Sequence, residues 1–404
     1  MSDNYSMRKQ RDIYMITVQN DMVLKAYPAE KKKVHFDQLG VCPKVFKNLW
    51  RNYFFRVVFN IALPFIMLFF DFYFPIKYSI GLIVHKKKCQ VVGKRLFLSH
   101  DRKLYTISKR ANLQCPGDVW YRLPWDYFSL PNDFRICNAL DFVSICEVLK
   151  SSFQSILLHF RVIFSLGYDK YFLSFKAYEW CLTDFALRHV ALDVELVFSC
   201  ICDRMSILYD NLPHKNKTLI QHGTMHFVGN NGGSKYMTWN NELGFYVWNS
   251  LYKSSPSTVY CYTPNDKIAL SSSVIANSPN YIYITYGFKP TFKPSKKSIL
   301  IVGNIVVFER VERGLLEQLQ DLDIDLYLKG HPVYSDSLYN EYRKKYRFHY
   351  IEGLSSQFPD VDLVISYDST LAFEYASIGT KVIYFERINI EKIRDIVIQE
   401  LKLI

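Results

Sequence analysis

Four short runs in the C-terminal third constrain this chain more than any other feature: Ser298–Val302 (SILIV), Ile324–Leu328 (IDLYL), Leu363–Ser366 (LVIS) and Val382–Phe385 (VIYF). Strands this apolar do not leave one face in water, so helices must cover both faces. Segments with helical spacing stand between them, at Arg310–Leu322, Ser335–Tyr346 and Leu371–Ile378, and Gly379 fits the C-cap of the last. The cadence predicts parallel strands joined by helical crossovers. A looser version runs earlier. Helices are expected over Phe142–Leu166, stopped by Gly167, over Leu173–Leu187 and over Pro264–Ser273. Strands are expected over Glu195–Cys202, Thr218–Gln221, Thr258–Tyr262 and Tyr281–Tyr286. Near the start, Ile13–Val18 reads as strand-like. The fold class is α/β: two doubly wound, Rossmann-type domains facing a cleft, preceded by a basic aromatic region.

A chain of 404 residues has room for two domains. The expected boundaries are a basic aromatic region over 1–110, a first Rossmann-like domain over 111–286, a linker over 287–297 and a second Rossmann-like domain over 298–404. The linker holds two prolines and four lysines between Gly287 and Lys297. Charge is unevenly placed. Residues 1–110 carry 21 Lys and Arg against 7 Asp and Glu, a net +14, whereas residues 111–404 net −2. Within the basic part, Phe54–Val84 holds ten aromatics, with Arg51 and Arg56 at one end and Lys86-Lys87-Lys88 at the other. Its uncharged run, Val57–Phe70, is 14 residues long, contains Asn60 and Pro64, and ends at Asp71. A spanning helix needs about 20 residues. The segment fits an anionic membrane surface better, with aromatics at headgroup level and lysines on anionic lipid. A buried helix pair is the alternative. The apolar run, together with the neutral remainder of the chain, argues against nucleic acid.

No apolar leader follows the first charges, and nine scattered cysteines form no CxxC pair, which together suit a reducing cytoplasm. No Walker A, GxGxxG, HExxH or GxSxG sequence occurs. His222 and His226 have metal-ligand spacing without a supporting cluster, so neither a metal nor a resident cofactor is expected.

Three expected strand ends carry side chains able to hold a ligand: Gln221-His222-Gly223-Thr224, Lys329-Gly330-His331-Pro332 and Tyr367-Asp368-Ser369-Thr370. Ligands of open parallel sheets bind outside the carboxyl ends of the strands. Ser369 and Thr370 open a helix, where hydroxyls and free N–H groups suit a phosphate; plain N-capping by Asp368 or Ser369 is the other reading. His331 can bond a phosphate or ribose oxygen, or simply its own loop. Glu374, one turn on, can reach a ribose diol or stay solvated. His222, beside Gly223, has the pKa range to take a proton from an acceptor hydroxyl, or it only bonds its own loop.

In this order the three motifs resemble those of GT-B-fold transferases of bacterial surface-polysaccharide synthesis, over roughly 195–386. LYLKGHP is similar to the HP motif of bacterial sialyltransferases and Kdo transferases, whose His contacts the phosphate of a cytidine nucleotide. VISYDSTLAFEYASIGTKVIYF resembles their paired Ser/Thr motif and the DYSS-type segment of CDP-glycerol glycerophosphotransferases. LIQHGT is similar to the WHGT motif of that last family, with Gln221 in place of tryptophan. The acidic motif that supplies the sialyltransferase base is absent. The resemblance implies His222 as base and His331, Ser369 and Thr370 on the donor phosphate; Lys329, Pro332 and Glu374 complete the expected donor site. Gln221, Gly223 and Thr224 fall in the acceptor loop.

The expectation is therefore an inverting, metal-independent glycosyltransferase, peripheral on the inner membrane face. It would move a sugar from a CMP-activated donor to a lipid-linked or glycan acceptor in capsule, O-antigen or lipopolysaccharide synthesis. Transfer of an alditol phosphate from a CDP donor is one alternative. A non-catalytic membrane-associated scaffold of the same fold is another.

Overall fold

The computed structural model describes residues 10–19, 53–84, 91, 94–99, 102–115, 117–122, 135–166, 174, 177–199, 204–221, 226–227, 237–241, 245–248, 252–285, 287–331, 336–353, 355–367, 369–385 and 389–403. The chain divides into two compact units. The first takes Met1–His222, Asn249–Cys261 and Leu270–Tyr283; the second takes Gly223–Trp248, Tyr262–Ala269 and Ile284–Ile404.

A parallel sheet of seven strands organises the first unit: β1 Arg95–Ser99, β2 Val119–Arg122, β3 Arg135–Asn138, β4 Glu195–Ser199, β5 Lys217–Ile220, β9 Thr258–Cys261 and β10 Asn280–Tyr283. Between β5 and β9 in sequence, β6 His226–Phe227, β7 Met237–Asn240 and β8 Phe245–Trp248 form a small antiparallel sheet grouped with the second unit. Across the large sheet the order is β3-β2-β1-β4-β5-β9-β10. Phe97 of β1 is in register with Trp120 on one side and Val197 on the other, and its ring stacks on Trp120 at 4.6 Å. The expected boundary at 110 falls between two paired strands of this sheet. The strand that joins β2–β3 to β4–β5 lies at 95–99, and without it the sheet would fall into two pieces.

Helix α1 spans 10–19, where a strand-like Ile13–Val18 was expected. Tyr14 and Val18, four residues apart, are both fully buried, and Tyr14 meets Trp180 edge-on at 5.3 Å. The Gln10 amide donates to Asp184. Helical spacing of the buried residues overrides local strand propensity here.

Helix α2, Tyr53–Val84, continues through Pro64 and Pro75. Its stretch Pro64–Ile83 is long and apolar enough to cross a membrane by length and composition alone. Asp71, the charge that ends the clean run, is buried, with its carboxylate 2.8 Å from His159 Nε2. His159 belongs to helix α4, Ile145–Leu166, which follows the short helix α3, Arg102–Arg110. α4 starts three residues later than expected because Ser144 and Glu147 form a reciprocal cap: the Ser144 N–H donates to Glu147 Oε2 at 2.8 Å and the Glu147 N–H to Ser144 Oγ at 3.3 Å. Helices α5 Ala177–Arg188, α6 Arg204–Asn211 and α7 Pro264–Ser273 complete this part of the chain. Cys115, Cys146, Cys181 and Cys261 are free thiols, while Cys137 is disulfide-bonded.

The second unit holds a parallel sheet of β11 Ser298–Val302, β12 Asp325–Lys329, β13 His349–Ile351, β14 Leu363–Ser366 and β15 Lys381–Tyr384, ordered β13-β12-β11-β14-β15. All five residues of β11 are buried. Ile299 and Ile301 feed one core, with Leu316 and Leu328; Leu300 and Val302 feed the other, with Val364 and Tyr375. Helices α8 Ile305–Leu319, α9 Asn340–Lys345, α10 Thr370–Ser377 and α11 Ile393–Leu401 supply the cover. Gly379 follows α10 at φ +89°, a left-handed position suited to glycine. The fold class is thus α/β with two doubly wound parallel sheets. The expected linker differs in character. Phe288 is buried against Tyr375 at 4.7 Å, the Thr291 N–H donates to the Phe358 carbonyl at 2.7 Å, and Asp360 N–H to the Phe292 carbonyl at 2.7 Å. Its aromatics fasten residues 287–297 along the second unit.

In the first unit, Arg95 Nε and Nη2 bond the two Asp118 oxygens at 3.0 and 2.7 Å, and Asp118 also accepts the Cys115 N–H at 2.7 Å. Asp118→Ala removes the partner of a half-buried guanidinium at the start of β1. A loss of about 2–3 kcal/mol is expected in urea unfolding. An unchanged midpoint would show the pair to be dispensable.

Candidate functional site

In a doubly wound sheet the crossovers from the first strand and from the fourth leave for opposite faces, and a crevice opens between their carboxyl ends. In the second unit those strands are β11 and β14. Four loops leave the carboxyl edge of this sheet beside one another: Gly303-Asn304 after β11, Gly330-His331 after β12, the one holding Tyr367 and Ser369 after β14, and Phe385 after β15.

The first of these was not among the sequence motifs. Gly303 has no room for a side chain: a Cβ would lie 2.7 Å from the Tyr339 hydroxyl and 3.2 Å from the Lys329 carbonyl. Asn304 and Ile305 open α8, and their N–H groups are held from within. Asn304 N–H donates to the Glu312 carboxyl, and Ile305 N–H to the Tyr339 hydroxyl at 3.1 Å. Glu312 is completely buried; burial pushes its pKa up to about 8, opposed by the Asn304 N–H and Tyr339. It is largely a neutral acid at pH 7. Burial also drives the Tyr339 hydroxyl up, with Glu312 adding to the effect. Asn304 itself is only 9% exposed, and its Oδ1 has no hydrogen-bond partner among the described residues. Such an oxygen, buried at the switch point, is suited to receive an O–H or N–H from a ligand. Further along, Phe308 sits at a break in α8 (φ −119°, ψ 27°) and packs on Tyr367 at 5.2 Å and Phe385 at 5.1 Å.

The expected donor residues fare unequally. Lys329 is buried, and its ammonium donates to the Glu352 carbonyl at 2.5 Å and the Gly353 carbonyl at 2.6 Å. Burial lowers it to about 8, countered by Asp336 and Glu352. It ties down the 352–353 turn, where a phosphate contact was expected. Asp336 joins the same support, accepting from the Tyr350 hydroxyl at 2.5 Å and the Gly353 N–H at 2.9 Å, bonds that hold its pKa low. Gly330 admits no Cβ, which would stand 2.3 Å from the Tyr350 hydroxyl. His331 is half-buried just beyond.

Ser369 is the N-cap of α10: its Oγ accepts the Ala372 N–H at 3.1 Å and lies 2.9 Å from Ser366 Oγ. Its hydroxyl therefore serves the helix. Thr370, the first helical residue, is half-buried and more open. Glu374 is buried rather than solvated, and its charge helps raise the Tyr375 hydroxyl, after burial and Asp360. In the first unit, Gln221 is fully buried at the end of β5 and its N–H extends the sheet to the Tyr260 carbonyl at 2.9 Å. His222, Gly223, Thr224 and Pro332 lie outside the described residues.

No family model and no curated protein matches this sequence. Solved structures do match. One is the wall teichoic acid polymerase TagF, at 11% identity over 89% of this chain and 92% of that one, TM-score 0.41. Another is MurG of Acinetobacter baumannii, at 11% identity over 76% and 92%, TM-score 0.35. A third is the spinosyn rhamnosyltransferase SpnG, at 10% identity over 76% and 92%, TM-score 0.37. Overlaps this loose carry no argument about chemistry. The fold stands on its own strand order and register.

Glu312 keeps its proton in the fold up to about pH 8 but releases it near 4.5 in the unfolded chain. Its contribution to stability is fullest below the lower value and is lost as pH rises through the upper. Glu312→Gln should remove that dependence, so wild type loses on the order of a few kcal/mol relative to the variant across the window. Parallel urea-unfolding curves for the two proteins at every pH would refute a buried neutral acid.

Proposed function

We propose that this chain is an inverting glycosyltransferase that moves a sugar from a nucleotide donor, CMP-activated, to a lipid-linked or glycan acceptor of a bacterial surface polysaccharide. The observation that carries the reading is the buried Asn304 amide at the switch point of the second sheet, flanked by the loops of His331 and Thr370. Its Oδ1 accepts, so it suits a ribose hydroxyl or a nucleobase amine. Thr370 and the first N–H groups of α10 suit the donor phosphate. Glu374 is assigned to the ribose diol. Cytidine follows from the likeness of LYLKGHP to the HP motif.

In the transfer, the acceptor oxygen attacks the anomeric carbon from the face opposite the leaving phosphate. The carbon–oxygen bond to the nucleotide breaks, the electron pair stays on the phosphate, and the acceptor proton passes to His222. His331 and the α10 donors stabilise the charge that grows on the departing phosphate more than they stabilise the bound donor. Gln221, Gly223 and Thr224 are assigned to the acceptor loop. The enzyme would use the nucleotide-activated sugar as substrate, with no resident cofactor. The basic region keeps it on the inner membrane face, where lipid-linked acceptors stand.

The second reading, transfer of an alditol phosphate from a CDP donor, is favoured by QHGT and YDST taken together. Product mass separates the two, because only that reaction leaves phosphate in the product.

A thermal-shift panel of CMP, CDP, UDP, GDP and their sugar conjugates tests the donor. Cytidine nucleotides are expected to stabilise the chain by about 2.7 kcal/mol at a hundredfold over Kd, and His331→Ala to abolish the effect. Silence across the panel favours a scaffold. Separately, His222→Ala should lower turnover about a hundredfold to ten-thousandfold with nucleotide binding kept; near-normal turnover removes His222 from the role of base.

A further inference from the structure

An amphipathic helix of a water-soluble domain buries its apolar stripe and wets its polar one. α4 is arranged the other way. Its inward side holds Ser151, Ser152, Gln154, Ser155 and His159 beside three aliphatics. Its outward side carries Leu149, Phe153, Phe160 and Phe164, the last 83% exposed. α2 repeats the pattern: Asp71 is buried, while Phe65, Phe69, Phe72, Ile76, Ile80 and Ile83 are exposed at spacings of three and four residues. The polar groups meet inside. Ser152 Oγ donates to the Asp71 carbonyl, the Asp71 carboxylate faces His159 Nε2 at 2.8 Å, and His159 Nδ1 lies 2.6 Å from Ser174 Oγ. Polar groups within and apolar ones without is the arrangement that hydrocarbon surroundings select. Isolated exposed apolar residues need no explanation, but two helices with coherent apolar faces do.

We infer that α2 and α4 together form one face that beds in the interfacial layer of an anionic lipid bilayer. Charge identifies the occupant. Lys77 on α2 and Lys150 on α4 are exposed, Lys86-Lys87-Lys88 follow α2 in sequence, and residues 1–110 net +14. An apolar protein partner has no use for that surplus; a layer of anionic headgroups does. Glu147, Lys150 and Arg161 within α4 suit a helix lying along the surface and not one crossing it. The inference rests on the membrane part of the proposed function and extends it past the basic region, to a helix that begins at Ile145.

Sedimentation of the full chain with vesicles tests it, using phosphatidylcholine alone and phosphatidylcholine mixed with phosphatidylglycerol. The chain is expected to pellet with the mixed vesicles and to bind the neutral ones weakly. Phe153→Ser with Phe164→Ser should lower the partition at least about tenfold. Its melting temperature and nucleotide response should hold, because both rings are exposed. Phe65→Ser with Phe72→Ser should do the same from α2. Loss in the α2 pair alone would overturn the two-helix face and leave the N-terminal anchor standing. Loss in neither would overturn both. Equal binding to neutral vesicles would overturn the anionic occupant. A chain that ignores vesicles but dimerises in solution, and becomes monomeric with these substitutions, would make a second copy the occupant and overturn the lipid face.

Discussion

A strand buried on both faces needs a neighbour on each side and helices above and below, and each large sheet is organised around one such strand. β1 places Leu96, Phe97 and Leu98 fully inside, and β11 is buried from end to end. From the first strand the chain builds outward to the second and third, then returns across it to the fourth and fifth. That return creates the switch point. In the second unit it brings Gly303-Asn304 beside Tyr367, Ser369 and Thr370, although more than sixty residues of sequence separate them. The alternation of β11 between two cores, Ile299 and Ile301 to one, Leu300 and Val302 to the other, is what holds the loop edge still.

Around that edge most polar groups are already paired by the protein. Glu312 and Tyr339 satisfy the opening N–H groups of α8. Lys329 satisfies two carbonyls, Asp336 ties Tyr350 to Gly353, and Ser369 caps its own helix. These bonds fix geometry before any ligand arrives, and preorganised donors cost little reorganisation during a reaction. The Asn304 side-chain oxygen is buried without such a partner among the described residues. In the α2–α4 pair the buried Asp71 carboxylate likewise faces a protein group, His159 Nε2, at 2.8 Å.

Much of the architecture was legible in the sequence. Ser298–Val302, Leu363–Ser366 and Pro264–Ser273 lie where periodicity put them. The failures have specific causes. Ile13–Val18 has strand-like composition, but Tyr14, which meets Trp180 edge-on, and Val18 are both buried as successive turns of a helix. RLFLS at 95–99 sits in a basic stretch that hid a central strand, and its neighbours in space come from 119–122 and 195–199. The prolines and lysines of 287–297 suggested a linker, whereas Phe288 and Phe292 anchor it. At the site, the HP and Ser/Thr motifs drew attention to Lys329 and Ser369, whose polar atoms turned inward. Gly303-Asn304 went unremarked, although a glycine directly after an apolar strand was a signal in plain view.

The sequence alone determined the α/β class, the places of most strands and helices, and the separation of a basic aromatic part from a neutral remainder. Those properties depend on local periodicity and on composition, which neighbours in sequence suffice to express. Only the tertiary structure decided which strand lies at the centre of each sheet, which hydroxyls and ammonium groups are occupied by the fold, and that α4 turns its serines inward and its phenylalanines outward. A helical wheel shows that a face exists, but which side of it meets protein is fixed by partners distant in the chain, here Asp71 for His159.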